Sequence, residues 1–324
     1  MKRRRLIIAI VVIVLLLLVV GYAGASTVVY NMLSQTVANC SSDDSRNNTP
    51  AAFASNDVDT TPYLMPAFEQ VSFPSRDANL QLNAWYVPAT EGSDTARTVI
   101  LVHGLMACKG GDEILLPAGM LHRAGYNVLM VDMRDHGASQ VEDGRFAAGS
   151  EEWRDVLGAW DWLVNEQGIA PERIGLFGTS LGAAAVMIAT GEEPRVAAVW
   201  EDSGFASIQV AVDAELARNG FPQFLSSGAL FIGRLISGDD ILAYSPLAAV
   251  QKLDGRPIFI THGTADTRLS VQYAYDLAAA VNASGGSVEP WIIEGSTHVG
   301  AMFDVPQEYE QRLIAFFDGA LAGN

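Results

Sequence analysis

One stretch restricts the fold more than any other. Ile174 to Gly182 reads Ile-Gly-Leu-Phe-Gly-Thr-Ser-Leu-Gly, and the Ala-rich segment Ala183 to Ala189 follows it. An apolar run, a Gly-flanked turn and a helix-forming segment predict strand, sharp turn and helix in that order. A side chain at such a turn sits where the backbone crowds together, so its neighbours must be small, and Gly178 and Gly182 meet that need. The helix that follows aims its N-terminal N–H groups and positive dipole end at the turn. That arrangement favours an anionic intermediate formed on Ser180, which marks this serine as a candidate nucleophile.

The rest of the chain continues the alternation. Phe68 to Phe73 and Leu80 to Val87 flank the turn Pro74-Ser75-Arg76-Asp77 and read as an antiparallel pair. Apolar runs at Val99 to Val102, Val128 to Val131, Ile174 to Phe177, Val196 to Trp200, Ile258 to Thr261 and Val288 to Ile293 then alternate with helical patterns, the last at Tyr309 to Phe317. Continuous apolar strands between helices predict an α/β domain over residues 67–324, with a mostly parallel central sheet and helices on both faces. The pattern breaks after the sixth strand. Residues 205–245 carry Phe205, Phe221, Phe224, Phe231 and Leu235 at irregular helical spacing, which reads as an apolar cap insertion over the site, with extra core packing as the alternative.

Residues 1–5 are a basic tail and residues 6–28 an apolar run long enough to cross a bilayer. The basic end is expected in the cytoplasm, which makes the segment a transmembrane anchor and places the catalytic domain outside. Cleavage of a signal peptide is the competing reading, because Ala23-Gly24-Ala25 has the small-x-small form, and it would give a secreted protein. Residues 29–66, rich in Ser, Asn, Asp, Thr and Pro, are expected to be a polar linker. An oxidising compartment would permit Cys40 and Cys108 to pair, although two free thiols fit the spacing equally well. Neither cysteine has metal-ligand spacing, so no structural zinc is expected. A formal charge of −17, with four basic residues concentrated at the N-terminus, leaves an acidic domain that repels phosphate backbones and argues against nucleic acid.

A serine hydroxyl needs a base, and the base needs an orienting acid. Of five histidines, His298 lies in the short loop Gly295 to Gly300 beyond the last strand, where an open parallel sheet presents its ligand crevice, and it is the expected base. His122 and His136 read as solvated surface residues. Asp266 follows the strand Ile258 to Thr261 in the Ser, Asp, His order and is the expected acid, with Glu201-Asp202 as the rival. Backbone N–H groups of Leu105 and Leu181 are the candidate oxyanion donors. His103, Asp202 and Phe205 are candidate pocket residues, with His103 expected to brace its loop and Asp202 to cap or line the site.

Val102-His103-Gly104, Asp132-Met133-Arg134-Asp135-His136-Gly137-Ala138-Ser139, Gly178-Thr179-Ser180-Leu181-Gly182, His262-Gly263-Thr264-Ala265-Asp266 and Thr297-His298 together resemble the α/β-hydrolase superfamily, from about Phe68 to the C-terminus. The arrangement looks most like the single-domain, prolyl-oligopeptidase-like and dienelactone-hydrolase-like serine hydrolases, many of which act on esters. Relatives commonly read D-x-R-G-x-G-x-S in the second motif, and Asp135 stands here where Gly is usual. The resemblance implies a serine hydrolase that cleaves a carboxylic ester through an acyl-enzyme, with no cofactor and no metal; the apolar run at residues 6–28 adds the expectation of a membrane anchor, and the apolar segment Phe205 to Leu235 that of a hydrophobic small-molecule substrate. A peptidase, amidase or acyltransferase on the same triad is the alternative within enzymes. The lack of room for a propeller domain argues against the peptidase, and a non-catalytic binding module is the alternative of another class.

Overall fold

An apolar strand with no polar face must be covered on both sides. The computed structural model, which describes residues 2–36, 40, 47–55, 57–77, 79–94, 96–238 and 240–322, shows how this chain does so. Its eight strands are β1 (Glu69–Pro74), β2 (Gln81–Val87), β3 (Thr98–Val102), β4 (Asn127–Asp132), β5 (Ile174–Thr179), β6 (Ala198–Asp202), β7 (Ile258–Gly263) and β8 (Trp291–Ile293). They form one sheet in the order β1-β2-β4-β3-β5-β6-β7-β8. β1 and β2 are antiparallel, β2 also runs antiparallel to β4, and the strands from β4 to β8 are parallel. The last strand starts later than its apolar run, because Pro290 has no N–H for the ladder.

The helices are α1 (Lys2–Ser34), α2 (Asp112–Arg123), α3 (Trp153–Asn165), α4 (Leu181–Glu192), α5 (Ile208–Arg218), α6 (Ser226–Ile236), α7 (Pro246–Val250), α8 (Gln272–Ala283), α9 (Ala301–Asp304) and α10 (Pro306–Ala320). Strand residues divide by parity between two cores. Ile100, Val102, Leu129, Val131 and Leu176 enter the layer that holds α3, α4 and α8, whereas Val99, Leu101, Val128, Met130 and Phe177 enter the layer under α2 and α10. Every residue of β3, β4, β5 and β6 is buried. The expected two-faced parallel sheet is therefore present, and α5 and α6 occupy the cap segment after β6.

The N-terminal region departs from the expected linker. α1 continues through Ser34, and Ser26, Val29, Tyr30 and Ser34 are buried against the rest of the chain. Further on, Phe53, Tyr63 and Met65 fill the core beneath α2, and the Tyr63 hydroxyl donates to Glu310 at 3.1 Å. A few apolar anchors in a polar segment give no periodicity, so composition hides this packing. Residues 37–39, 41–46 and 56 of the linker lie outside the described residues. Cys40 and Cys108 form a disulfide with Cα atoms 5.3 Å apart, closing the long loop between them. Cross-linking residues 68 positions apart is worth about 4 kcal/mol on the loop-entropy argument. Full reduction, or Cys108→Ser, is expected to lower Tm by about 10 °C. An unchanged melting curve after complete reduction would refute a stabilising role.

Candidate active site

The turn between β5 and α4 places Ser180 at φ 54° and ψ −113°, a left-handed backbone that non-glycine residues seldom adopt. Two close approaches hold it there. A Cβ on Gly178 would collide with the Gly182 carbonyl, and a Cβ on Gly182 would collide with the carbonyl oxygens of Val102 and His103. The Ser180 N–H donates to the Asp202 carbonyl at 2.8 Å, tying the turn to the end of β6.

The loop after β8 brings His298 to this serine. His298 Nε2 lies 3.0 Å from Ser180 Oγ, and His298 Nδ1 lies 2.7 Å from Asp266 Oδ2. The tautomer with the proton on Nδ1 satisfies both contacts, leaving Nε2 to accept from the hydroxyl. Asp266 is set by its own turn, where Oδ1 accepts from the N–H groups of Arg268 and Leu269, each at 2.8 Å. Burial alone would raise the Asp266 carboxyl, but hydrogen bonds from His262 and His298 outweigh it and hold its pKa below the ordinary carboxylate range. The structure thus brings together the three side chains that the sequence singled out, within hydrogen-bond reach.

The two candidate donors flank the same serine. Leu181 is the first residue of α4, so its N–H has no partner within the helix. Leu105 follows Gly104, whose position against Ser180 is so close that an added Cβ would stand 3.2 Å from Ser180 Cβ. That loop is braced from below. His103 is fully buried, and its Nδ1 meets the Gly104 carbonyl at 2.8 Å while its Nε2 accepts from the Met133 N–H at 3.2 Å. Burial pushes the His103 pKa down to about 3, so the ring stays neutral. Lys109 and Asp132, both buried, form an ion pair at the far end of the loop.

Other expectations need correction. His103 and Asp202 do not line the cavity. Asp202 is buried beneath the elbow, where it accepts from Tyr309 Oη at 2.7 Å and Ser203 Oγ at 2.8 Å, so its oxygens are spent on packing groups. His136, expected to be solvated, is buried, because its turn folds back against the His103 ring and Nδ1 meets the Arg134 carbonyl. His122 is half-buried, with Nε2 3.1 Å from the Pro88 carbonyl. Phe205 does line a cavity of about 450 Å³ that reaches Ser180, together with Leu105, Leu181, Ile208 and Val212. A second, more polar space of about 720 Å³ lies on the His298 side, bordered by Asp57, Glu113, Thr297 and Asp304. Ser180, Leu105 and Arg268 border both. The sequence reading missed Tyr30 and Leu33 of α1, which also line the apolar cavity, because nothing in a membrane-type run signals a contact with a serine far along the chain. Among the described residues no cluster of His, Cys, Asp or Glu could hold a metal ion.

An α/β fold of this topology, with a serine on the strand-to-helix turn after β5, an aspartate after β7 and a histidine after β8, is the α/β-hydrolase fold. The family model described as the prolyl oligopeptidase family matches residues 117–324, nearly two thirds of the sequence. The chain belongs to that family. An Escherichia coli protein, described as an uncharacterized 31.7 kDa protein in the traX-finO intergenic region, is 31% identical over 139 residues, 42% of this chain. The chain spans about half the length of that curated relative, 47%. YfhR of Escherichia coli K12 is 25% identical over 259 residues, 78% of this chain and 81% of YfhR. Among solved structures, the Pyrococcus furiosus esterase Pf2001 superposes with a TM-score of 0.64 at 21% identity, covering 83% of this chain and 98% of that one. A Pyrococcus horikoshii acylaminoacyl peptidase gives a TM-score of 0.56 at 21% identity, covering 78% of this chain and 41% of the peptidase. These likenesses show the fold.

Behind the acid lies a further buried layer. Glu201 Oε2 accepts from the Gly204 N–H at 2.9 Å, whereas Oε1 has no hydrogen-bond partner among the described residues. Burial pushes the Glu201 pKa up to about 8 from an ordinary 4.5. The folded state therefore keeps this carboxyl protonated while the unfolded chain ionises it. Its stabilising contribution is complete below about pH 4.5 and is lost as pH rises to about 8. Glu201→Gln keeps the acceptor for Gly204 and is expected to leave Tm at pH 4.5 nearly unchanged, but to raise it by more than about 2 °C at pH 8. Equal shifts at both pH values would remove the titration of Glu201 as the cause.

Proposed function

We propose that the protein is a membrane-anchored esterase whose active domain lies outside the cytoplasm, with Ser180, His298 and Asp266 as its catalytic triad. The observation that carries this reading is the arrangement around Ser180: an apolar cavity on one side, suited to an acyl chain, and a polar space on the other, suited to an alcohol. Ser180 Oγ attacks the ester carbonyl carbon as its proton passes to His298 Nε2, and the carbonyl oxygen takes the negative charge toward the Leu105 and Leu181 N–H groups. When the C–O bond to the alcohol breaks, His298 returns the proton to the departing alkoxide. A water, deprotonated by the same nitrogen, then attacks the acyl carbon; as the bond from that carbon to Oγ breaks, the proton passes from Nε2 to Ser180 Oγ and the acid leaves. Asp266 stays ionised throughout, holding the imidazole in its tautomer and stabilising the imidazolium.

The anchoring part of the proposal draws on α1, whose mean hydropathy reaches 3.3 over a window with none of its residues buried. Its basic N-terminal residues favour the cytoplasmic side, and the Cys40–Cys108 disulfide fits an oxidising compartment beyond it. Ser180→Ala is expected to lower kcat on p-nitrophenyl esters at least about a thousandfold, and Asp266→Asn by a comparable factor with KM little changed. Retained turnover in Ser180→Ala would overturn the triad. A peptidase or amidase on the same residues draws support from the family, and amide turnover at rates rivalling those of esters would favour it.

A further inference from the structure

The outer end of α1 is built into the site. Tyr30 and Leu33 line the same cavity as Ser180, Leu181 and Phe205. α6 lies against this part of α1 so closely that a Cβ on Gly228 would collide with Ser26 Oγ, and a Cβ on Gly233 would stand 2.7 Å from the Tyr30 ring. The Tyr22 hydroxyl donates to the Phe224 carbonyl at 2.9 Å. On the opposite side, Arg145 donates to Ser34 Oγ at 2.6 Å and Asn31 Oδ1 at 2.8 Å, and its guanidinium lies 4.7 Å from the Tyr30 ring centre. Removal of the chain up to Ala25 would take away Tyr22 and place a charged amine on Ser26 at the α6 contact. Left uncleaved, α1 is a structural part of the cap.

The cap turns an apolar face outward beside the spanning helix. Phe224, Phe231 and Leu235 are 68%, 62% and 66% exposed, and Val28 of α1 is 60% exposed. Such side chains gathered around the end of an apolar helix are suited to hydrocarbon rather than to water. Ser180 itself is only 8% exposed, while the cavity beside it is bounded by α1, α5 and α6.

We propose that the substrate is an acyl ester resident in the bilayer, whose chain passes sideways around the C-terminal end of α1, beyond its close contact with α6, into the cavity beside Ser180 that Leu33 and Ile241 also line. The spanning helix is then one wall of the acyl site. This rests on the reading of Ser180, His298 and Asp266 as an esterase triad and of α1 as a membrane span. Leu33 bounds the chain from the α1 side, and Phe231 and Leu235 seat the cap in the outer leaflet.

The test uses the full chain reconstituted in phosphatidylcholine vesicles, with p-nitrophenyl acetate in solution and p-nitrophenyl palmitate dissolved in the bilayer. The two probes share a leaving group and differ only in the acyl chain. The wild type is expected to turn over both. Leu33→Trp, which fills the cavity from the membrane helix, is expected to lower the palmitate-to-acetate ratio of kcat/KM at least about tenfold. The double substitution Phe231→Ser and Leu235→Ser is expected to lower the same ratio by withdrawing the cap from the bilayer while leaving the cavity lining unchanged. Should Leu33→Trp fail to fold, shown by loss of the cooperative thermal transition, the cap pair decides. Acetate turnover without palmitate turnover in the wild type, or ratios unchanged in the folded variants, would overturn lateral entry and leave the esterase standing. Turnover of neither ester by the wild type would overturn both.

Discussion

The site depends on one close approach: the backbone of Gly182, at the start of α4, lies against the carbonyl oxygens of Val102 and His103 at the end of β3. Because β3 and β5 are neighbours in parallel register, this contact fixes the height of the elbow above the sheet. It also sets Ser180 beside Gly104, which starts the loop carrying one oxyanion donor. A side chain at either glycine would push α4 off the sheet and separate the serine from that donor. The strained φ of Ser180 is held by these contacts and by the bond from its N–H to Asp202, so the cost of the conformation is met by the packing of three adjacent strands.

Beneath this frame, the buried polar groups keep the triad geometry without taking part in it. His103 is neutral and spans the loop from Gly104 to Met133, and Asp202 receives two hydroxyl donors while its carbonyl receives Ser180. Val299, next to the base, donates its N–H to Ser203 Oγ at 3.1 Å. Nucleophile and base therefore share one anchor, the turn after β6. Displacement of that turn moves both together, which preserves the 3.0 Å contact between them.

Much of this was legible in the sequence because the relevant signals are local. The Gly178 to Gly182 spacing, the apolar runs and the strand-end positions of Asp266 and His298 each follow from a few adjacent residues and a period. What was not legible depends on contacts between distant segments. Nothing local to Asp202 distinguishes a carboxylate that lines a pocket from one that receives Tyr309, a hundred residues later in the chain. Nor does a polar stretch disclose that Phe53, Tyr63 and Met65 belong to a core, since three anchors spread over a segment have no period. The burial of His136 follows from the folding of its turn against Arg134 and His103, which composition around it does not specify.

Asp135 joins the sequence departure to the architecture. It occupies a position where relatives commonly carry Gly, and it keeps the left-handed backbone, at φ 60°, that a glycine there would adopt without strain. In exchange its Oδ1 accepts from the N–H groups of Glu142, Asp143 and Gly144, at 2.8, 3.2 and 2.9 Å, folding that loop into a fixed turn. The next residue is Arg145, which grips Ser34 and Asn31, and the Gly144 carbonyl and Phe146 N–H bond the backbone at Thr36 and Ser34. A carboxylate beside the central sheet thus orders the loop that clasps the outer end of α1. A glycine at the same position would supply the backbone angle but none of the three acceptor contacts, and the clasp would lose its support. The departure from the usual motif is therefore matched to a chain whose membrane-type helix forms one wall of its cavity, and in the proposed mechanism that clasp sets the distance between bilayer and nucleophile.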